Sequence, residues 1–273
     1  MPHHVDLGDI GGPVLLFGGP YSNLQAFEAL CEAGAAAGVS PDRMICTGDV
    51  VAYCGAPEAS VAALRAAGCP VVAGNCERQL AENAPDCGCG FDAGSACDLL
   101  SVGWYAFARA RMQDADRDWM RGLPDIISFT HAGARYAVIH GGVTEIARFI
   151  WPNSPARLFE EEWDAAEAAI GPVDHIIAGH CGLPLERECR RGRWINAGVI
   201  GMPPNDGGAD TRYALLRAGA LTFHQLAYDV AAAAADMQRA GLPPDYRRAL
   251  ETGYWPSEDI LPEDLRRAVS ESG

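Results

Sequence analysis

The chain has 273 residues, 49% of them hydrophobic and 21% charged, a balance that supports a sizeable core and excludes disorder as the state of most of it. Its formal charge of -15 repels phosphate backbones and anionic lipid. That argues against nucleic-acid and membrane partners, and any phosphate ligand needs a local cation.

The first residues carry no basic stretch followed by an apolar run, and no segment reaches the roughly 18 apolar residues of a membrane helix, so a cytoplasmic location is expected. Ten cysteines are many for such a protein. In a reducing compartment they are expected to remain thiols, serving either as core residues or as chemistry.

In chain order, apolar runs of strand length alternate with amphipathic segments of helix length. The strand candidates are VLLF (14–17), MIC (44–46), PVVA (70–73), YAVI (136–139) and HIIA (175–178). Between the first two, Leu24, Phe27, Leu30 and Cys31 recur at helical spacing, with Asn23 or Ser22 available as N-cap. Residues 57–67 predict a second helix, opened by a proline and closed by Gly68. Two further helices are expected over 97–112 and 114–121. Hairpins are expected around Gly133 and Gly219. The alternation predicts an α/β architecture with a layered sheet. With no internal repeat and no linker, it predicts one domain over 1–273, of which 230–273 form a peripheral helical extension.

Four strand ends carry the candidate chemistry: Thr47-Gly48-Asp49, Ala73-Gly74-Asn75-Cys76, Ile139-His140-Gly141-Gly142 and Ala178-Gly179-His180-Cys181-Gly182. Each places a ligand-type residue beside a glycine, where the backbone can turn tightly and approach a bound ion. A carboxylate, an amide oxygen and two imidazoles make a nitrogen and oxygen donor set suited to Zn²⁺, Mn²⁺ or Fe²⁺. Singly, an aspartate after a strand is as readily an N-cap, and a histidine on an apolar strand a hydrogen-bonded core residue.

The order of these motifs, from about Val14 to about Asp229, resembles the calcineurin-like metallophosphoesterases, in particular their compact bacterial phosphodiesterase type. Gly48-Asp49, Gly74-Asn75-Cys76, His140 and Gly179-His180 fill the family's places, and Ser22-Asn23-Leu24, Tyr53 and Asn196-Ala197-Gly198-Val199-Ile200-Gly201 match its flanking text. The resemblance implies a sandwich of two mixed β-sheets flanked by helices. Counted from Asn23, the family's first Asp falls on Gly19, its first His on Tyr21, and the second His of the last motif on Gly182. All three losses fall on one of the family's two metals. The other metal's set, Asp49, Asn75, His140 and His180, is complete. One divalent transition metal, Zn, Mn or Fe, is therefore expected, with Gly19 and Gly182 bordering empty or water-filled space.

The resemblance also implies metal-dependent hydrolysis of a small soluble phosphoester, either a diester or a monoester. Asn23 and Arg78 are candidates for contacting the phosphate, Arg78 being equally well a solvated residue of a helix's first turn. Cys76 stands where the family usually has the histidine that protonates the leaving group. It is a candidate acid or a ligand. Tyr21 is a candidate substitute ligand or an aromatic packed against the sheet edge. Two other functions stay open: a non-catalytic descendant that binds a metal or ligand, and a thiol-rich site for a soft metal or redox chemistry, drawing on Cys54, Cys76, Cys87, Cys89 and Cys181.

Overall fold

The computed structural model describes residues 2–267. Two β-sheets face each other. Strands β1 (His4–Asp9), β4 (Ile126–His131), β5 (Ala134–Val138), β6 (His175–Ala178), β7 (Pro184–Glu188) and β8 (Arg193–Ala197) form the larger sheet in the order β1-β4-β5-β6-β8-β7. The smaller sheet runs β10-β9-β2-β3, from β2 (Val14–Phe17), β3 (Met44–Cys46), β9 (Thr211–Arg217) and β10 (Ala220–Leu226). Both sheets mix parallel and antiparallel pairs, β2 lying parallel to β3 and antiparallel to β9.

The period-2 alternation of each strand builds three apolar layers. Val14, Leu16, Ile45, Ile177, Ile195 and Leu216 fill the space between the sheets. Their neighbours Leu15, Phe17, Met44 and Cys46 point the other way, into the helices α1 (Leu24–Ala36) and α2 (Pro57–Ala67). On the far side of the larger sheet, Ile176 and Trp194 pack with Phe159 and Trp163 of α6 (Ala156–Ile170). The hydrophobic-in-both-directions strands are what a sheet covered on each face requires.

Helix boundaries follow their caps. The Asn23 side chain accepts the Ala26 N–H at 3.1 Å and opens α1, and α2 closes on Gly68 at φ +74°. Between the sheets' edges lie α3 (Asn75–Ala81), α4 (Ala96–Arg111) and α5 (Asp114–Gly122), and the chain continues through α7 (Val230–Arg239) and α8 (Pro244–Thr252). Among the described residues, no helix is long and apolar enough to cross a membrane.

Two local expectations are corrected. Residues 70–73 form no strand, contributing a single bridge between Cys46 and Val71, because Pro70 donates no N–H and the chain turns at once into α3. Of the segment after α8, expected to be peripheral, the described residues 253–267 pack onto the body of the chain. Trp255 donates its backbone N–H to Asn205 and its indole N–H to the Pro203 carbonyl, and Leu261 packs with Trp151 and Cys181. This segment forms part of the wall of the site.

Candidate metal centre

Strands β2 and β3 of one sheet, and β5 and β6 of the other, end at the same edge of the sandwich. The loops that leave them carry Tyr21, Asp49, His140 and His180. Three of these four, Tyr21 (φ +53°), Asp49 (φ +54°) and His180 (φ +61°), adopt the left-handed conformation that L side chains rarely take. Such concentrated backbone strain marks a site where geometry is imposed by function.

The imidazole of His140 is the centre of the arrangement. Its Nδ1 lies 2.6 Å from the Thr47 carbonyl, an acceptor only, so Nδ1 carries the proton and Nε2 presents a lone pair. Around Nε2 stand His180 Nδ1 at 3.1 Å, Asn75 Oδ1 at 3.0 Å and Asp49 Oδ2 at 3.3 Å. The amide of Asn75 is oriented by its Nδ2, which donates to the Cys87 carbonyl at 2.9 Å. His140 Nε2, Asn75 Oδ1 and Asp49 Oδ2 therefore bring lone pairs together in a buried space, with His180 Nδ1 beside them as donor or acceptor according to its tautomer, an arrangement that a cation or a proton stabilises. Asp49, His140 and His180 each bring one donor atom to within 4.8 Å of the others.

The electrostatics express the same crowding. Burial works against ionisation of Asp49, yet the facing His140 and His180 hold its carboxyl below the usual range. Burial works against protonation of His140, and Asp49 overrides it, so its pKa is raised. His180, desolvated and beside His140, is pushed down to about 3.

Asp49 is held by a carboxylate that the motif reading did not single out. Glu77 accepts backbone N–H groups from Asp49 at 2.8 Å, Gly74 at 3.0 Å and Val51 at 3.2 Å. Burial, and then the nearby Asp49, push its carboxyl up to about 7. Glu77 sits three residues after Gly74, the N-cap of α3, which is the spacing of a capping box. That spacing was the signal available in the sequence.

The space expected beside Gly19 is filled, whereas Gly182 borders the open pocket. A Cβ on Gly19 would fall 2.4 Å from the Tyr21 ring, while one on Gly182 would meet the Trp255 ring at 3.5 Å and the Tyr21 hydroxyl at 3.9 Å, both ordinary contacts. The Tyr21 ring occupies what an Asp at position 19 would have needed. Burial, reinforced by Asp49, raises the Tyr21 phenol well above its ordinary range, which weighs against a phenolate at this position.

Other expected residues are engaged elsewhere. Arg78 bonds the Leu123 carbonyl at 2.9 Å and Asp125 at 2.6 Å. Asn23 caps α1 and donates to the Gly201 carbonyl. Neither lines the pocket beside the cluster. Cys76 is buried in the core beneath Asp49, and burial followed by the Asp49 charge raises its thiol well above the usual range. It is therefore a protonated thiol and a poor acid at neutral pH. Cys181 does line the pocket, with its thiol pushed up to about 11 by burial. Cys87 and Cys89 are joined as a disulfide, contrary to the expectation of thiols throughout.

The pocket opens from Asp49 and His180 and is walled by aromatic rings: Tyr21, Tyr53, Phe149, Trp151, Tyr246 and Trp255. Phe149 stacks on Trp151 at 5.2 Å and lies 4.2 Å from the His180 ring. No periodic pattern announces this wall, because its members come from five separate segments.

Comparison with known proteins agrees with this architecture. No curated protein matches the chain. A metallophosphoesterase from Sphaerobacter thermophilus superposes with a TM-score of 0.68 at 22% identity, over 89% of this chain and 100% of that one. A hypothetical protein from Pyrococcus horikoshii OT3 gives a TM-score of 0.72 at 17% identity, over 89% and 99% of the two chains. At such identities the likeness is one of fold. The description of the calcineurin-like phosphoesterase superfamily domain, a family that uses divalent metals, matches residues 22–219. The chain belongs to the calcineurin-like phosphoesterase superfamily.

Proposed function

We propose that this protein hydrolyses a small phosphoester with one divalent transition metal held by Asp49, Asn75, His140 and His180. The observation that carries the proposal is the meeting of Asp49 Oδ2, Asn75 Oδ1 and His180 Nδ1 within 3.3 Å of His140 Nε2. The proton on His140 Nδ1, fixed by Thr47, leaves His140 Nε2, Asn75 Oδ1 and Asp49 Oδ2 without a hydrogen among them in the neutral site. A borderline divalent ion fits such a donor set and supplies Lewis acidity toward a phosphoryl oxygen and toward water.

The protein's own groups bind and orient. Thr47 sets the tautomer of His140, Cys87 turns the Asn75 amide, and Glu77 clamps the Asp49 loop. The aromatic wall keeps water from the ester's organic side. Tyr21 fills the place of a side chain at Gly19, and neither Gly19 nor Gly182 brings a ligand atom, which supports a count of one. The buried thiols of Cys76 and Cys181, both raised in pKa, weigh against thiolate-based redox chemistry at those two residues.

One feature favours the non-catalytic alternative: none of the side chains lining the pocket is placed as an acid that titrates near neutrality to protonate a leaving group. The deciding experiment is elemental analysis of protein purified without chelator or metal-affinity resin, combined with hydrolysis assays in Mn²⁺, Fe²⁺ and Zn²⁺. About one metal per chain and metal-dependent turnover, both lost in Asp49→Asn and His180→Ala, are expected. Metal retention without turnover on any phosphomonoester or phosphodiester would transfer the reading to ligand binding. A protein that takes up no metal would end it.

A further inference from the structure

We infer that the ligand of this pocket is a singly charged phosphodiester bearing a flat, uncharged organic group, rather than a phosphomonoester or a polyphosphate. The inference rests on the metal-dependent reading above and narrows it to a substrate class.

The first observation is the absence of positive side chains. All 21 basic residues of the chain are arginines, and all lie within the described residues. None of them lines the pocket. Arg78 is paired with Asp125, and Arg148 with Glu161 and Glu162. A phosphate bound here has as its counter-charge only what one ion provides, and that ion is already faced by Asp49. A monoester dianion or a polyphosphate would bring further negative charge against apolar walls with nothing to pair it, in a protein of net charge -15.

The second observation is the chemistry of the walls. Tyr53, Phe149, Trp151, Tyr246 and Trp255 present ring surface. The Trp255 indole N–H is already spent on the Pro203 carbonyl at 2.7 Å, and the Cys181 thiol on the Leu183 carbonyl. These walls offer mostly ring surface with neutral phenol and indole donors at its edges, which suits a planar, uncharged organic group entering by stacking or edge contact. The third observation is continuity. Asp49 and His180 belong both to the cluster and to the pocket, so one molecule can place its phosphorus at the first and its organic group in the second.

The test is calorimetric titration of the full chain, loaded with the metal it retains, at pH 8. Three probes are compared: diphenyl phosphate, dimethyl phosphate and phenyl phosphate, the last a dianion at that pH because its second pKa is about 6. Diphenyl phosphate should bind at least tenfold more tightly than either of the others. Trp255→Ala should shrink the diphenyl-to-dimethyl ratio severalfold. Trp151→Leu gives the same readout if the first variant does not fold. Equal affinities for diphenyl and dimethyl phosphate, phenyl phosphate binding as tightly as the diester, or no binding of any probe to metal-loaded protein would each overturn the inference. Hydrolysis is scored separately. The expected binding order without turnover would preserve the ligand class and remove the hydrolase. Turnover with no preference for the aryl diester would do the opposite.

Discussion

The carboxylate of Glu77 holds the backbone N–H of Asp49 at 2.8 Å, and with it the N–H groups of Val51 and Gly74. One buried side chain thus ties the loop after β3 to the start of α3, and so fixes Asp49 relative to Asn75. Glu77→Ala would leave three buried donors without a partner, at about 1–3 kcal/mol each. A large loss of unfolding free energy in denaturant titration is expected, together with loss of metal affinity. Glu77→Gln, which keeps an acceptor oxygen, should retain more of both. Equal behaviour of the two variants would show that the acceptor contacts do not matter.

The affinity of the site for a divalent ion should rise with pH. Asp49 raises the pKa of His140 above its ordinary value despite burial, so below that raised pKa a proton occupies Nε2 and must leave before an ion binds. About a tenfold gain per pH unit is expected there, flattening above it. His180, held down at about 3, stays neutral throughout and adds no slope. In metal-free protein the two histidines pull opposite ways. For His140 a raised folded-state pKa gives stability that is fully present below the unfolded value near 6.5 and is lost as pH rises through the folded one, while His180, depressed to about 3, takes stability away as pH falls below 6.5, so stability should peak near that value. Competition titrations with a metal indicator and melting curves of the metal-free protein check the two halves. A metal affinity independent of pH from 5 to 8 would contradict both.

Restoring the family's missing histidine should not by itself restore a second metal. In Gly182→His the new side chain would sit on a backbone at φ +74°, which L side chains rarely adopt, and the positions of Gly19 and Tyr21 would still lack ligands. Elemental analysis should still find about one ion per chain. Adding Gly19→Asp and Tyr21→His supplies those ligands and removes the ring that a side chain at position 19 would meet, and the count should then move toward two. A second ion in the single variant would show that Gly19 and Tyr21 do not limit the count.

Trp163 is fully buried between α6 and the larger sheet, and its indole N–H donates to the Val173 carbonyl at 3.2 Å. Trp163→Ala should lower stability by about 3–5 kcal/mol through lost contacts and the cavity left behind. Because no metal-ligand candidate belongs to α6, and Glu162 of that helix still accepts the Val143 and Thr144 N–H groups that hold the loop after His140, metal content per folded chain should change little. Chemical denaturation and elemental analysis of the same samples separate the two effects.

How much was legible in the sequence depends on whether the cause is local. β2, β3 and β6 were readable because an unbroken apolar run bounded by glycine has few other uses in a chain covered on both faces. Asp49, Asn75, His140 and His180 were readable as a group for the same reason, each standing where such a run ends. β1 was not, since its side chains are mostly half-buried or exposed and its place is set by pairing with β4. The engagement of Arg78 by Asp125 and the packing of Trp255 beside Gly182 were equally hidden. In each case the partner lies far along the chain, and the residue's own neighbours carry no mark of it.

The strand order of the smaller sheet also has a consequence for the newly made chain. β2 and β3 are synthesised early and pair with each other, but the other edge of β2 receives its partner only when Thr211–Arg217 has emerged. Until then Val14–Phe17 presents an unpaired, wholly apolar edge, a template on which another nascent chain can pair. Aggregation during translation, and the demand for chaperones, therefore belong to the interval between the synthesis of Cys46 and that of Arg217.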